Sequence, residues 1–284
     1  MKLISILDQL AATPATAAPA PRRALLAQLG QAAMAALPLG MAAALPAAAA
    51  PTDTSFDAVT QLLQLERTQV ALYTQALAAP GLIPTAQTAD FQRLLAHQTQ
   101  HAALLLKAIQ DAGAIVPALP RFDFSGKHSV ATNPELFPNV LTSYDAFLAL
   151  AQQLEDLGVR LYKTHAFIIG DPQLFRAALR IHAVEAEHSA HIRGLRKGRG
   201  ETVQSWPSEE DAAIVRPAAA QVLTTAATGG EETGVQYLSP GVPVPFASFL
   251  LISTNTAIHD PALAEAFDEP ISSAVAQLAL NLFV

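Results

Sequence analysis

The chain has 284 residues, of which 51% are hydrophobic, and a formal net charge of −7, enough for one large core or a core plus a tail. The acidic balance lacks the Lys/Arg footprint that nucleic acid requires, so nucleic acid is excluded as a partner. There is no cysteine, which excludes thiolate metal sites, disulfides and cysteine nucleophiles.

Residues 1–50 are rich in Ala and Pro and carry Arg22-Arg23 ahead of a mildly apolar run to Leu45. We read this segment as an export signal of the twin-arginine type, with Ala48 and Ala50 suited to cleavage near residue 50. Pro21 stands where Ser or Thr is usual, and Leu25-Leu26 replace the usual Phe-Leu. A disordered Ala/Pro-rich extension is the alternative. Pro38, Gly40 and Pro46 interrupt the run, so no membrane span is expected in the mature chain. The expected location is periplasmic or secreted.

From Thr54 to about Gly198 apolar residues recur at three- and four-residue intervals, with Gly and Pro between segments, a helical pattern. The spacing predicts helices over 55–79, 88–112, 143–169 and 172–196. Thr54 or Ser55 caps the first, and Asp171 with Pro172 opens the fourth. The first two helices are separated by about eight residues and the last two by one or two, so each pair should form an antiparallel hairpin. Some thirty residues from Gly113 to Thr142 join the pairs, long enough to cross a bundle. Residues 51–200 thus form a four-helix domain.

After Gly200 the helical rhythm fades. Pro207, Pro217, Pro240, Pro243 and Pro245 mark irregular chain, and residues 201–284 are expected to wrap the bundle as an extension. The run FASFLLIS at 246–253 reads as a short strand or buried segment, and 271–284 as a last short helix. The apolar end Leu282-Phe283-Val284 should be covered by the bundle or by an oligomer contact; a homo-oligomer is left open.

An internal repeat runs through the four helices. LERTQVALY around Glu66 matches LEDLGVRLY around Glu155 at five positions, and QTQH over 98–101 matches EAEH over 185–188. Gln98 follows Glu66 by 32 residues and Glu185 follows Glu155 by 30, so the four motifs meet at one height in an antiparallel bundle. Glu and His three residues apart share a helix face. Two such pairs and one Glu from each remaining helix can surround a two-metal centre. Carboxylates balance the charge, and imidazoles favour later transition metals over calcium or magnesium.

On the stretches LERTQVALYTQAL, LEDLGVRLYKTHA, IHAVEAEHSAHIRGLR and EAFDEPIS, the chain resembles the bacterial ferritin-like-domain proteins grouped with desiccation-related proteins, from about Phe56 to Val284. The resemblance implies an all-α fold, a ferritin-like four-helix bundle of two hairpins joined by a long crossover. It also implies a dinuclear iron or manganese site with ligands Glu66, His101, Glu155, Glu185 and His188. Gln98 departs from it, standing where the family carries a bridging Glu; three carboxylates then face two divalent ions. Glu187 stands where the family often has Arg.

Each candidate has a plainer reading. The carboxylates could be partnered by His and Gln alone in a metal-free relic. Tyr73 and Tyr162, each seven residues after its Glu, could be core or, if functional, donors to a carboxylate or an electron relay. His182 could ligate or support, His97 and His191 are expected at the periphery, and His165 has no assigned role. HQTQH at 97–101 resembles the zinc-peptidase helix but has Gln where the general base must stand. No nucleophile elbow, P-loop or dinucleotide fingerprint is present. Two classes stay open: a non-haem di-metal oxidoreductase (ferroxidase, oxidase or peroxide-disposing), or a stress-associated structural or binding protein with a degenerate site.

Overall fold

The computed structural model describes residues 54–128, 130, 132–208, 210–228, 265 and 270–284. The segment 1–50, read above as an export signal, and the run at 246–253 lie outside the described residues. Six α-helices are present among the described residues: α1 Ser55–Ala78, α2 Thr88–Asp111, α3 Tyr144–Ala166, α4 Pro172–Gly198, α5 Gln221–Ala227 and α6 Ser273–Leu280.

The long helices start where their caps dictate. Thr54 and Asp57 form a reciprocal capping box on α1, Ser143 accepts from Ala146 N on α3, and Asp171 accepts from Gln173 N and Leu174 N on α4, with Pro172 in the first turn. These contacts satisfy N–H groups that a helix start leaves unpaired. Gly113, at φ +69°, turns the chain after α2, a conformation open to glycine. α3 ends at Ala166, three residues before the expected Ile169, because Ile168 N and Ile169 N both turn back to His165 O. Those residues make the tight turn into α4, which Ser55 Oγ ties to α1 by donating to Ile168 O and accepting from Gly170 N.

Contacts fix the directions. Tyr73 meets Glu155 and Tyr162 meets Glu66, so α1 and α3 run antiparallel. Asp156 meets Arg193 and Gln152 meets Arg196, so α3 and α4 do too. α1 packs broadly on α2, and α3 on α4, whereas α2 and α4 touch only sparsely. The core is aliphatic along α1 and α3, with an aromatic cluster of Tyr73, Phe91 and Phe147 at one end. No described helix is long and apolar enough to cross a membrane.

The described C-terminal residues pack on the bundle. Gln61 donates to Ser273 O, Thr164 donates to Ile271 O, and Arg160 Nη1 donates to Ala226 O and Thr228 O at the end of α5. That end carries partial negative charge, so a cation suits it. The buried Phe283 ring sits 5.5 Å from Phe124 and 5.0 Å from Phe137. Phe283 is therefore covered by the 112–143 connection, within the chain itself, while Leu282 is half-buried and Val284 exposed.

Candidate metal centre

α1 and α3 are buried or half-buried along their middle, where LERTQVALY and LEDLGVRLY lie. Glu66, Gln98, Glu155 and Glu185 are fully buried, and His188 nearly so; His101 is 12% exposed in its side chain. A buried ionised carboxylate is costly without partners, so these side chains are where the molecule has placed its polar interior.

The structure brings five of the expected residues into two overlapping trios, Glu66/His101/Glu185 and Glu155/Glu185/His188, each with potential ligand atoms within 4.8 Å of one another. His101 Nδ1 lies 3.5 Å from Glu66 Oε2 and 3.3 Å from Glu185 Oε1. His188 Nδ1 lies 3.4 Å from Glu155 Oε2 and 3.7 Å from the same Glu185 Oε1. Most of these are ion-pair separations rather than well-made hydrogen bonds. Glu185 is common to both trios and holds the middle.

The outer oxygens are fixed by a crossed pair of tyrosines. Tyr162 donates to Glu66 Oε1 at 2.5 Å, and Tyr73 donates to Glu155 Oε1. The seven-residue step from Glu to Tyr is two helical turns, and antiparallel packing brings each Tyr onto the other helix's Glu. Gln69 donates to Glu185 Oε2 at 3.0 Å. Gln98 Nε2 lies 3.3 Å from Glu155 Oε2 and 3.4 Å from Glu185 Oε2, while its Oε1 accepts from His101 Nδ1 at 2.9 Å.

With these contacts made, Glu66 Oε2, Glu185 Oε1 and His188 Nδ1 remain buried without a hydrogen-bond partner. All three belong to the trios, and their donor chemistry, carboxylate oxygen and imidazole nitrogen, fits iron or manganese. Orphaned buried atoms of this kind are costly unless something else satisfies them.

Protons stand in for cations in the metal-free centre. Burial, and then the Glu185 charge, pushes Glu66 up to about 8 and Glu155 up to about 7. Burial opposes ionisation of Glu185 too, but the flanking His101 and His188 outweigh it and hold that carboxyl well below the usual range. Burial also disfavours charged imidazoles, yet Glu185 and Glu66 lift His101 to about 9, and Glu155 and Glu185 lift His188 to about 10. The result is one carboxylate between two imidazolium groups.

A family model for the ferritin-like domain matches residues 54–198, the stretch that spans all four long helices. The chain belongs to the ferritin-like family. No curated protein matches it. In this ferritin-like protein a groove of about 770 Å³ opens between α2 and α4, walled by Leu104, Leu174, Ala177 and Ile181, and reaches His101.

Some site residues were not foreseen. Gln69 stands three residues after Glu66, and Gly158 three after Glu155. A Cβ on Gly158 would meet Glu185 Oε2, so the bare backbone there leaves room for the shared carboxylate. His97, expected at the periphery, is exposed but places Nδ1 3.0 Å from His188 Nε2, with the rings stacked. His182 is half-buried and belongs to neither trio. His191 lies 3.9 Å from Asp90, and His165 is a buried partner of Gln61. The amphipathic period carried no signal for any of the three unforeseen contacts; the unequal residues at the matched position of the repeat, Gln69 and Gly158, were the one clue.

Proposed function

We propose that this is an exported ferritin-like protein that binds two first-row transition ions, iron or manganese, at Glu66, His101, Glu155, Glu185 and His188, and uses them in redox chemistry on a small oxidant such as dioxygen or peroxide. The observation that carries this reading is the sharing of Glu185 by two Glu/His trios in which Glu66 Oε2, Glu185 Oε1 and His188 Nδ1 are buried and unpartnered. When bound, such ions supply electron transfer and Lewis acidity. Glu66 with His101, and Glu155 with His188, would each hold one ion, and Glu185 would face both. Tyr162 and Tyr73 hold the outer oxygens of Glu66 and Glu155, which leaves the other oxygen of each turned inward. Three carboxylates against two divalent ions leave one positive charge for an exogenous anion to balance. Elemental analysis of protein purified from the exported fraction tests the reading, with close to two iron or manganese ions per chain expected. Mass spectrometry of the same material should show a mature N-terminus near residue 51; an intact Met1 in the cytoplasm would remove the export reading.

One observation favours a second reading, a stress- or desiccation-associated structural protein with a metal-free site. Gln98 and Gln69 already supply amide donors to Glu155 and Glu185, so part of the layer is satisfied without a cation. Absence of metal after reconstitution would select it.

A further inference from the structure

The inner trios continue outward along the seam between α2 and α4. His188 offers its two ring nitrogens to different neighbours. Nδ1 faces Glu155 and Glu185, whereas Nε2 faces Nδ1 of His97 at 3.0 Å. Further along the seam His191 Nε2 stands 3.9 Å from Asp90 Oδ2, with side chains 38% and 47% exposed. α2 supplies Asp90 and His97; α4 supplies His191 and His188. Potential ligand groups are thus paired across one seam, exposed at His97, half-buried at Asp90 and His191, and buried at His188 and Glu185.

The inner pair of this series has the spacing of a cation site. At metal–nitrogen bonds of about 2.0–2.1 Å, two nitrogens held at a right angle lie about 3 Å apart. Imidazole nitrogen selects later transition ions over calcium and magnesium. α2 and α4 are also only sparsely packed on one another, so side chains along their seam can move without opening the aliphatic core.

We propose that the end of the α2–α4 seam marked by Asp90, His191, His97 and His188, away from the groove at His101, is the entry path for divalent first-row transition ions, with His97 as the outer ligand that takes the ion from solvent and passes it to His188. This rests on the metal-centre reading. His97 belongs to neither trio, so it sets how fast the centre fills and not how much it holds. The groove that reaches His101 is the competing route.

The experiment is stopped-flow mixing of the chelator-stripped full-length protein with Co2+ alone, followed by the visible absorption of bound cobalt. His97 is exposed, so its replacement should leave the fold intact. His97→Ala is expected to reach the wild-type cobalt stoichiometry about tenfold more slowly, the scale on which a focusing cleft alters capture of an ion. His97→Asp, which restores a ligand, should recover most of the rate. Equal rates for wild type and His97→Ala would overturn the path and assign entry to the groove at His101. A reduced final stoichiometry in His97→Ala would also overturn it, by making His97 a residue that positions His188. No cobalt uptake by the wild type would instead bring down the metal centre itself.

Discussion

A Cβ on Gly158 would stand 2.5 Å from Oε2 of Glu185, so the carboxylate shared by both trios occupies the place of a missing side chain. The matched position on α1 is Gln69, which reaches the same carboxylate oxygen as a donor. The two halves of the repeat are therefore unequal by construction. One leaves space for the shared Glu185, and the other fills that space with an amide.

Gly158→Ala tests this. Alanine favours a helix over glycine by about 1 kcal/mol, so the change alone should help α3. The added methyl must displace Glu185, and both trios lose their common member. Metal affinity should fall about tenfold or more, while the metal-free melting temperature moves little. Titration calorimetry with Mn2+ and thermal unfolding in chelator read the two effects separately. Wild-type affinity would remove Gly158 from the site.

Gln98→Glu separates the two functional readings. The side chain is fully buried and its amide nitrogen faces Glu155 and Glu185. In the metal-free protein the change swaps a donor for a fourth carboxylate among three, which should lower the melting temperature. With saturating Mn2+ or Fe2+ the same carboxylate is a better ligand than an amide, and binding confined to the folded state stabilises it. The expected result is a lower melting temperature in chelator and a higher one in metal. Destabilisation in both, with no metal bound, selects the structural reading.

Much of this centre was legible because helices keep a fixed period. Glu185 and His188 share a face by spacing alone, and the matched LExxxVxLY segments set Glu66 and Glu155 at one height. The caps at Thr54 and Asp171 were readable for the same local reason. Gly158, Gln69 and His97 were not, since their roles depend on which atoms meet across helices. Nor was α5: seven residues make a marginal helix alone, and its C-terminal carbonyls are held by Arg160 from α3. Phe283 was read correctly as needing cover, but only the fold shows that Phe124 and Phe137 provide it.

The proton-filled centre gives stability a definite pH dependence. Glu66, Glu155, His101 and His188 all keep their protons to higher pH in the folded chain, to about 8, 7, 9 and 10, than their ordinary values of 4.5 and 6.5. Their contribution is complete below those ordinary values and is lost as pH rises through the folded ones. Glu185 has the opposite sign, contributing above 4.5 and losing that on acidification. Metal-free protein should be most stable near about pH 4–5 and weaken from there through about pH 10. Bound metal competes with the same protons, so the loaded protein should gain in relative stability over that range. Thermal unfolding in chelator and in Mn2+ at several pH values checks the crossing. A metal-free melting temperature that climbs from pH 6 to 9 would contradict these protonation states.

Arg193 is a further buried charge on which the fold depends. Its Nε and Nη2 donate to the two carboxylate oxygens of Asp156 at 3.1 and 2.7 Å, and Nη1 donates to Asp211 Oδ2 at 2.5 Å and Trp206 O at 3.2 Å. Ser189 Oγ adds a third donor to Asp156. Arg193 and Asp156 are 3% and 4% exposed in their side chains, so neither can fall back on water. The pair joins α3 to α4 and ties the 206–211 segment to both. Arg193→Ala should destabilise by about 3–5 kcal/mol, because it strands a buried carboxylate without its cation. Asp156→Asn in the Arg193→Ala background should recover part of that loss, since an amide has no charge to strand. Urea unfolding of the chelated single and double variants measures both steps, and limited proteolysis should show earlier cleavage around 206–211 in Arg193→Ala. A single variant within about 1 kcal/mol of wild type would mean that the donors left to Asp156, Ser189 Oγ and Gln152 Nε2, suffice to hold it. The ion pair would then contribute to positioning the 206–211 segment more than to stability.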